Sequence, residues 1–419
     1  MNRSPSRNLH RSLLCAAAVL IAAPFAQADE STMPVAIHGE MVYPVSGPPI
    51  SGGLVLVRDG KITYVGPTED MVYTMDHRVI RAKVVTPGLI DARATVGLSG
   101  LLNQPHDQDM LEKSAPLQPE LRAIDAYNPR DPLVAYVRSY GITTVHTGHA
   151  PGMLVSGQTM VVKTLGGTAD GDTLKPAAMT AVSLGSAGTT DQAGKSPGTR
   201  AKAMAMLRAE LLKAQEYARK LALPDETKRP ARDLRQETML RALDGTQPLL
   251  ITAHRQQDIM SALRLAAEFN LSIVLDGCSD APLVLDEIKA AGFPVVLHPT
   301  MARSFGDMEN LSMETATRLR TAGISFAIQS GYESYVPKTR VVLFEAGVAA
   351  GKGLGFESAL AAVTLNAARI IGVDDRIGSL EVGKDADLAL YDGDPFEYTT
   401  RCVAVFINGR EFPGEHHTP

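Results

Sequence analysis

Several polar residues stand where short apolar runs of the chain stop: His146 in ITTVH, Lys163 in TMVVKT, His254 in LLITAH, Asp276 in SIVLD, His298 in PVVLH and Gln329 in ISFAIQ. Imidazoles exchange protons near neutral pH and bind metals, and a carboxylate accepts a proton or steadies a cation. Gathered in one place, such groups could activate water; scattered, they mark only where apolar runs meet solvent. His146 and His149 open HTGHAPGMLVSGQTMVVKT, an H-x-x-H that precedes a Gly- and Pro-containing loop. That spacing is a weak metal signal. The loop could instead turn backbone N–H groups toward an anion or an oxyanion, or the two imidazoles could simply tie the loop down by hydrogen bonds. Cys278, beside Asp276, is a nucleophile if His254 or His298 serves as its base, and otherwise an inert buried thiol. In SGYESYVPKTR, Glu333 offers a carboxylate, and Lys338 and Arg340 could grip a carboxylate or phosphate on a ligand.

Eight apolar runs, GLIDA, ITTVH, TMVVKT, AMTAVS, LLITAH, SIVLD, PVVLH and ISFAIQ, alternate with helical stretches, the pattern of parallel β/α units. Eight such units predict an α/β fold with a (β/α)8 TIM-like barrel, in which the C-terminal strand ends share one mouth. That architecture brings His254, Asp276 and His298 to one cavity, with Arg93 at its floor. The two ends of the chain read differently. GGLVLVRDGKITYVG carries Asp59-Gly60 and RCVAVFINGREF carries Asn408-Gly409, each a hairpin signal. A small β-sandwich built from both ends is the expectation, with residues 29–85 and 376–419 flanking a barrel over 86–375.

Residues 1–28 hold Arg3, Arg7 and Arg11 without an acid, then LLCAAAVLIAAPF, then Ala26-Gln27-Ala28, the three parts of a signal peptide. Cleavage after Ala28 predicts a periplasmic or secreted protein that is soluble and has no membrane association once the signal is removed. The whole chain has net charge -5, and losing three arginines makes it more acidic. With no basic stripe, nucleic acid is excluded as a partner. Three cysteines without a C-x-x-C exclude a zinc ribbon and a disulfide framework. A small-molecule substrate or ligand is the expected partner, and self-association into a homo-oligomer stays open.

VVTPGLIDA at 84–92 and RIGSLEVGKDADLALYDGDPF at 376–396, with GITTV, PLLITAHRQQDI and ESALAAVTLNAARIIG between them, resemble the amidohydrolase superfamily of metal-dependent hydrolases, imidazolonepropionase-like in type. The resemblance implies one or two divalent metals, held by a His-x-His after the first strand, a His on each of the fifth and sixth strands, and an Asp on the eighth. Here those positions read Arg93 and Thr95, His254, Gly277 and Gly331, so one of the five side chains remains. A bridging, carbamylated lysine, another device of the superfamily, would fall on Lys163, which otherwise reads as an ion-pair partner. Arg93, always charged, either replaces the ion electrostatically, binds an anionic substrate group, or makes a salt bridge with Asp276 or Asp91.

What the resemblance implies is a hydrolase of carbon–nitrogen bonds other than peptide bonds, with Asp276, His254 and Arg93 as catalytic candidates. His146, His149, Lys163, Lys338 and Arg340 are the ligand-binding candidates. No cofactor is required by this sequence; a single zinc on His254, His298, His146 and His149 is the metal a rebuilt set would hold. The alternative is a catalytically inactive barrel that binds a small anionic ligand or a partner.

Overall fold

The computed structural model describes residues 34–74, 76–101, 104–189, 197–300, 304–332 and 341–414. Residues 1–28, where a signal peptide is expected, and Glu333, Lys338 and Arg340 lie outside the described residues. Among the described residues no helix is long and apolar enough to cross a membrane.

The chain opens with β1 (Val35–Val42), β2 (Ile50–Arg58), β3 (Lys61–Pro67) and β4 (Arg78–Pro87). Asp59 and Gly60 both take positive φ, 51° and 74°, at the β2–β3 turn, the backbone that a two-residue hairpin of matching twist demands. The middle of the chain holds β5 (Leu89–Ala94), β6 (Ile142–Thr147), β7 (Val155–Gln158), β8 (Met160–Lys163), β9 (Thr173–Lys175), β10 (Thr180–Ser183), β11 (Leu249–Ala253), β12 (Ile273–Gly277), β13 (Val295–Leu297) and β14 (Phe326–Ile328). Most of the later strands are followed by helices, such as Gln256–Phe269 after β11, which stops at Asn270 in the left-handed region. The chain closes with β15 (Leu388–Tyr391), β16 (Cys402–Ile407) and β17 (Arg410–Pro413).

The strands from both chain ends form one seven-stranded sheet, in the order β17-β16-β15-β4-β1-β2-β3. Where a small sandwich was expected there is a single hydrogen-bonded sheet that curls until its hairpin turns touch. A Cβ added to Gly60 would come within 2.9 Å of the carbonyl oxygen of Asn408. Curling lets it bury its own apolar face, with Ile37, Val55, Val57 and Ile62 packing in one cluster with Leu388, Leu390 and Phe406.

The middle strands give an α/β body of two sheets, one in the order β14-β13-β12-β11-β10-β7 and one in the order β5-β6-β8-β9. From β10 to β14 every pairing is parallel, as is β5 with β6. The third apolar run departs from the expected pattern. As β8 it lies antiparallel to β6, with Lys163 opposite Thr144 and Met160 opposite Thr147. The sheets meet at a bridge between Ala94 and Gly331, and at Thr159, whose N–H and C=O bond to Met179 and Ala178. They do not form one continuous hydrogen-bonded ring among the described residues.

The parallel strands set the layers. Ile90, Leu250, Val274, Val296 and Ala327 share one apolar cluster, sealed below by Ala367, Ala368, Ile371 and Ile377. Side chains two residues apart on a strand share a face. The next level along these strands toward their C-terminal ends is therefore Thr252, Asp276, His298 and Gln329, all buried.

Candidate active site

At that polar level Asp276 is fully buried and held from the neighbouring β11 and from the end of β14, two strands away on the other side. Thr252 donates to Oδ2 at 2.5 Å, and the Gln329 amide donates to Oδ1 and to the Val296 carbonyl, the latter at 3.1 Å. One residue past β11, His254 lies between two hydroxyls, with Nδ1 3.0 Å from Ser279 Oγ and Nε2 3.0 Å from the Tyr332 hydroxyl. The His298 ring leans on the same tyrosine, their centres 5.2 Å apart. Tyr332 thus joins the ends of β11 and β13. It was not singled out in the sequence, although it stands in SGYES four residues past β14, where chain turning over the strand ends must go.

Arg93, next to the end of β5, is fully buried. Its Nη2 donates to the His149 carbonyl, while Nε and Nη1 have no acceptor among the described residues. Burial disfavours its charge, and the nearby Asp276 and Tyr332 partly offset that penalty. The salt bridge with Asp276 or Asp91 that the sequence left open is absent among the described residues. Asp91 instead accepts from the Ser330 hydroxyl and main chain and from the Arg93 main chain, which ties β5 to the segment after β14. Burial, only partly offset by those bonds and by His298, pushes the Asp91 carboxyl up to about 6.

Two imidazoles flank the guanidinium. His146 is clamped between the Ala92 carbonyl, 2.8 Å from Nδ1, and the Thr159 hydroxyl, 2.6 Å from Nε2. His149 is also buried, with neither ring nitrogen partnered among the described residues. Burial first, and the charge of Arg93 second, hold His146 down at about 3 and His149 at about 4, so both rings are neutral at neutral pH.

The structure separates Lys163 from this group. Because β8 runs antiparallel to β6, its C-terminal end lies at the base, where the parallel strands begin. There the ammonium reaches the seven-stranded sheet and bonds to Asp385 at 2.8 Å, Asp387 at 3.0 Å and Asn408 at 2.5 Å. Cys278 is buried at φ 60°, and burial, with Asp276 nearby, raises its thiol well above the ordinary range, which is the inert state.

The four histidines considered for zinc are not assembled as a ligand set. His146 and His254 each have both ring nitrogens within hydrogen-bond distance of protein oxygens, and among the described residues no three His, Cys, Asp or Glu side chains converge as metal ligands would. Gly277, at φ +86°, stands where a Cβ would come within 2.6 Å of the His254 ring, so a ligand side chain there collides with the one histidine that remains. A buried guanidinium completes the mismatch, since it repels a divalent cation. The residues present do not fit the metal centre that the resemblance implies.

The family model described as "Amidohydrolase family" matches residues 315–412. The amidohydrolase tasK of Hapsidospora irregularis is 24% identical over 396 residues, covering 85% of this chain, which spans only 39% of that protein's length. An imidazolonepropionase of Brucella anthropi is 24% identical over 424 residues, 87% of this chain and 93% of that one. The crystal structure of an amidohydrolase from Thermotoga maritima MSB8 superposes with a TM-score of 0.83 at 27% identity, over 90% of this chain and all of that one. Sequence and fold over nearly the whole described chain are thus similar to those of the amidohydrolase superfamily.

Proposed function

We propose that the chain hydrolyses carbon–nitrogen bonds other than peptide bonds, in a site at the C-terminal strand ends where a fixed guanidinium stands in place of a divalent metal. In this reading the two sheets of the α/β body are the wall of a (β/α)8 barrel over 86–375, with residues 29–85 and 376–419 as its β domain. The observation that carries the proposal is Arg93, sealed from solvent beside Asp276 with two nitrogens left without acceptors. Water adding to an amide or lactam carbonyl leaves negative charge on oxygen, and a preorganised cation at that point stabilises it. Asp276, pinned by Thr252 and Gln329, favours the charged form of that cation through space. His254, between Ser279 and Tyr332, is the group placed to move a proton.

The single zinc considered from the sequence is not part of this reading, and no step runs through a metal. Removal of residues 1–28 would leave the enzyme in the periplasm or outside the cell. The test is a turnover screen of chelator-treated protein against lactams, imidazolones and N-acyl compounds. Activity without added metal, lost in Arg93→Gln and Asp276→Asn, is the expected outcome. No turnover anywhere in the panel, or turnover that needs added zinc, overturns the proposal.

A further inference from the structure

We infer that Arg93 and His149 belong to a binding site for a compact oxyanion, a carboxylate or a phosphate, and that this site is independent of metal. A guanidinium has five N–H groups, and burying them without acceptors is unfavourable. Arg93 gives one to the His149 carbonyl, while the Nε–H and both N–H groups of Nη1 have no acceptor among the described residues. The acids that could neutralise it are committed elsewhere. Asp91 accepts from Ser330 and from the Arg93 main chain, and Asp276 from Thr252 and Gln329. The protein has therefore placed a cation near the Asp276 carboxylate without letting that carboxylate close on it.

His149 adds to the same surplus of donors. The residue is only 5% exposed, neither ring nitrogen has a partner among the described residues, and the ring feels the charge of Arg93. A neutral imidazole keeps one N–H to donate. The ring lies against the backbone of Gly157, where a Cβ would come within 2.7 Å of Nε2, so its position is fixed before any ligand arrives. Planar N–H donors in fixed positions suit the oxygens of a carboxylate or phosphate, and they are the wrong chemistry for a metal ion. This inference does not rest on the hydrolase reading, because binding can be read without turnover.

The experiment is thermal unfolding and titration calorimetry of the full processed chain with sodium acetate, inorganic phosphate, the uncharged isostere acetamide, and zinc chloride. At least one of the anions should raise the Tm with saturation, and acetamide and zinc should not. Acetate acting alone identifies a carboxylate site, and phosphate acting alone a phosphate site. Arg93→Gln should weaken the anion by about 10–100-fold and His149→Phe by about threefold to tenfold. If Arg93→Gln does not fold, Arg93→Lys, which keeps the charge, should still bind. Failure of both anions to shift the wild type, an unchanged affinity in Arg93→Gln, or a saturable equivalent of zinc in the wild type overturns the inference. Loss of turnover with anion binding intact counts against the hydrolase reading alone.

Discussion

Among the described residues two cationic side chains are fully buried, at opposite ends of the α/β body, and they are treated in opposite ways. At the base, Lys163 is surrounded by Asp385, Asp387 and Asn408, and Asp385 also accepts from Lys61 at 2.6 Å and Arg376 at 2.7 Å. Burial pushes Asp385 up, but the hydrogen bonds from Lys163 and Lys61 and the charges of Lys163 and Arg376 outweigh it and hold the carboxyl at about 2. At the other end Arg93 makes a single side-chain bond among the described residues, to a carbonyl. A saturated buried charge acts as structure, because it fixes which elements meet; an unsaturated one costs stability and is retained only if something else uses it.

The contrast is open to direct attack. The largest effect is expected from Lys163→Ala, which leaves the buried Asp387 carboxylate without its cation and takes one of three cations from Asp385, and should cost about 3–5 kcal/mol in urea unfolding. Acid should act next. His146 and His149 are held neutral, so their contribution is complete above the unfolded value of 6.5 and is lost as pH falls, through about 4 for His149 and about 3 for His146. Asp91, raised to about 6, opposes this: its contribution is present below 3.8 and lost as pH rises through 6. Two protons taken up by the unfolded chain against one by the folded chain leave a net loss of about 1.4 kcal/mol per pH unit between roughly pH 6 and 4. His149→Asn should flatten that slope in denaturant midpoints taken across the window.

Gly277→Ala imposes a left-handed backbone on alanine and presses it on the His254 ring. It should cost about 2 kcal/mol and release Tyr332 fluorescence from its present environment. The smallest change in stability, and the one that most sharpens the comparison, is Arg93→Met. It should leave stability unchanged or raise it by about 1 kcal/mol while abolishing anion binding and turnover. A loss near that of Lys163→Ala would show that the two cations are not different in kind.

Much of this was legible in the sequence, for physical reasons. Alternating and continuous apolar runs located eight of the ten strands of the α/β body, missing β7 and β9, and Asp59-Gly60 and Asn408-Gly409 located two hairpins, because positive φ leaves few residue choices. What misled was direction. A run of residues carries no sign of which way its strand points, so Lys163 read as a group at the catalytic rim until the antiparallel pairing of β8 put it at the base. Asp91 and Ser330 were equally hidden, since their bond joins residues 239 apart in sequence. Tyr332 could have been suspected from its place just past the last strand, but nothing local says that its hydroxyl meets His254.

The base cluster also sets an order of events. Lys163 emerges from the ribosome more than two hundred residues ahead of Asp385, Asp387 and Asn408, its three partners. The seam between β4 and β15 likewise joins segments about 300 residues apart, a slow closure for any chain. Until the last strands arrive, the half-made body carries a naked ammonium on the face it must later bury, and this holds it short of a finished, stable fold. The delay is written into where the counter-ions sit along the chain, 222 to 245 residues after the cation they close on.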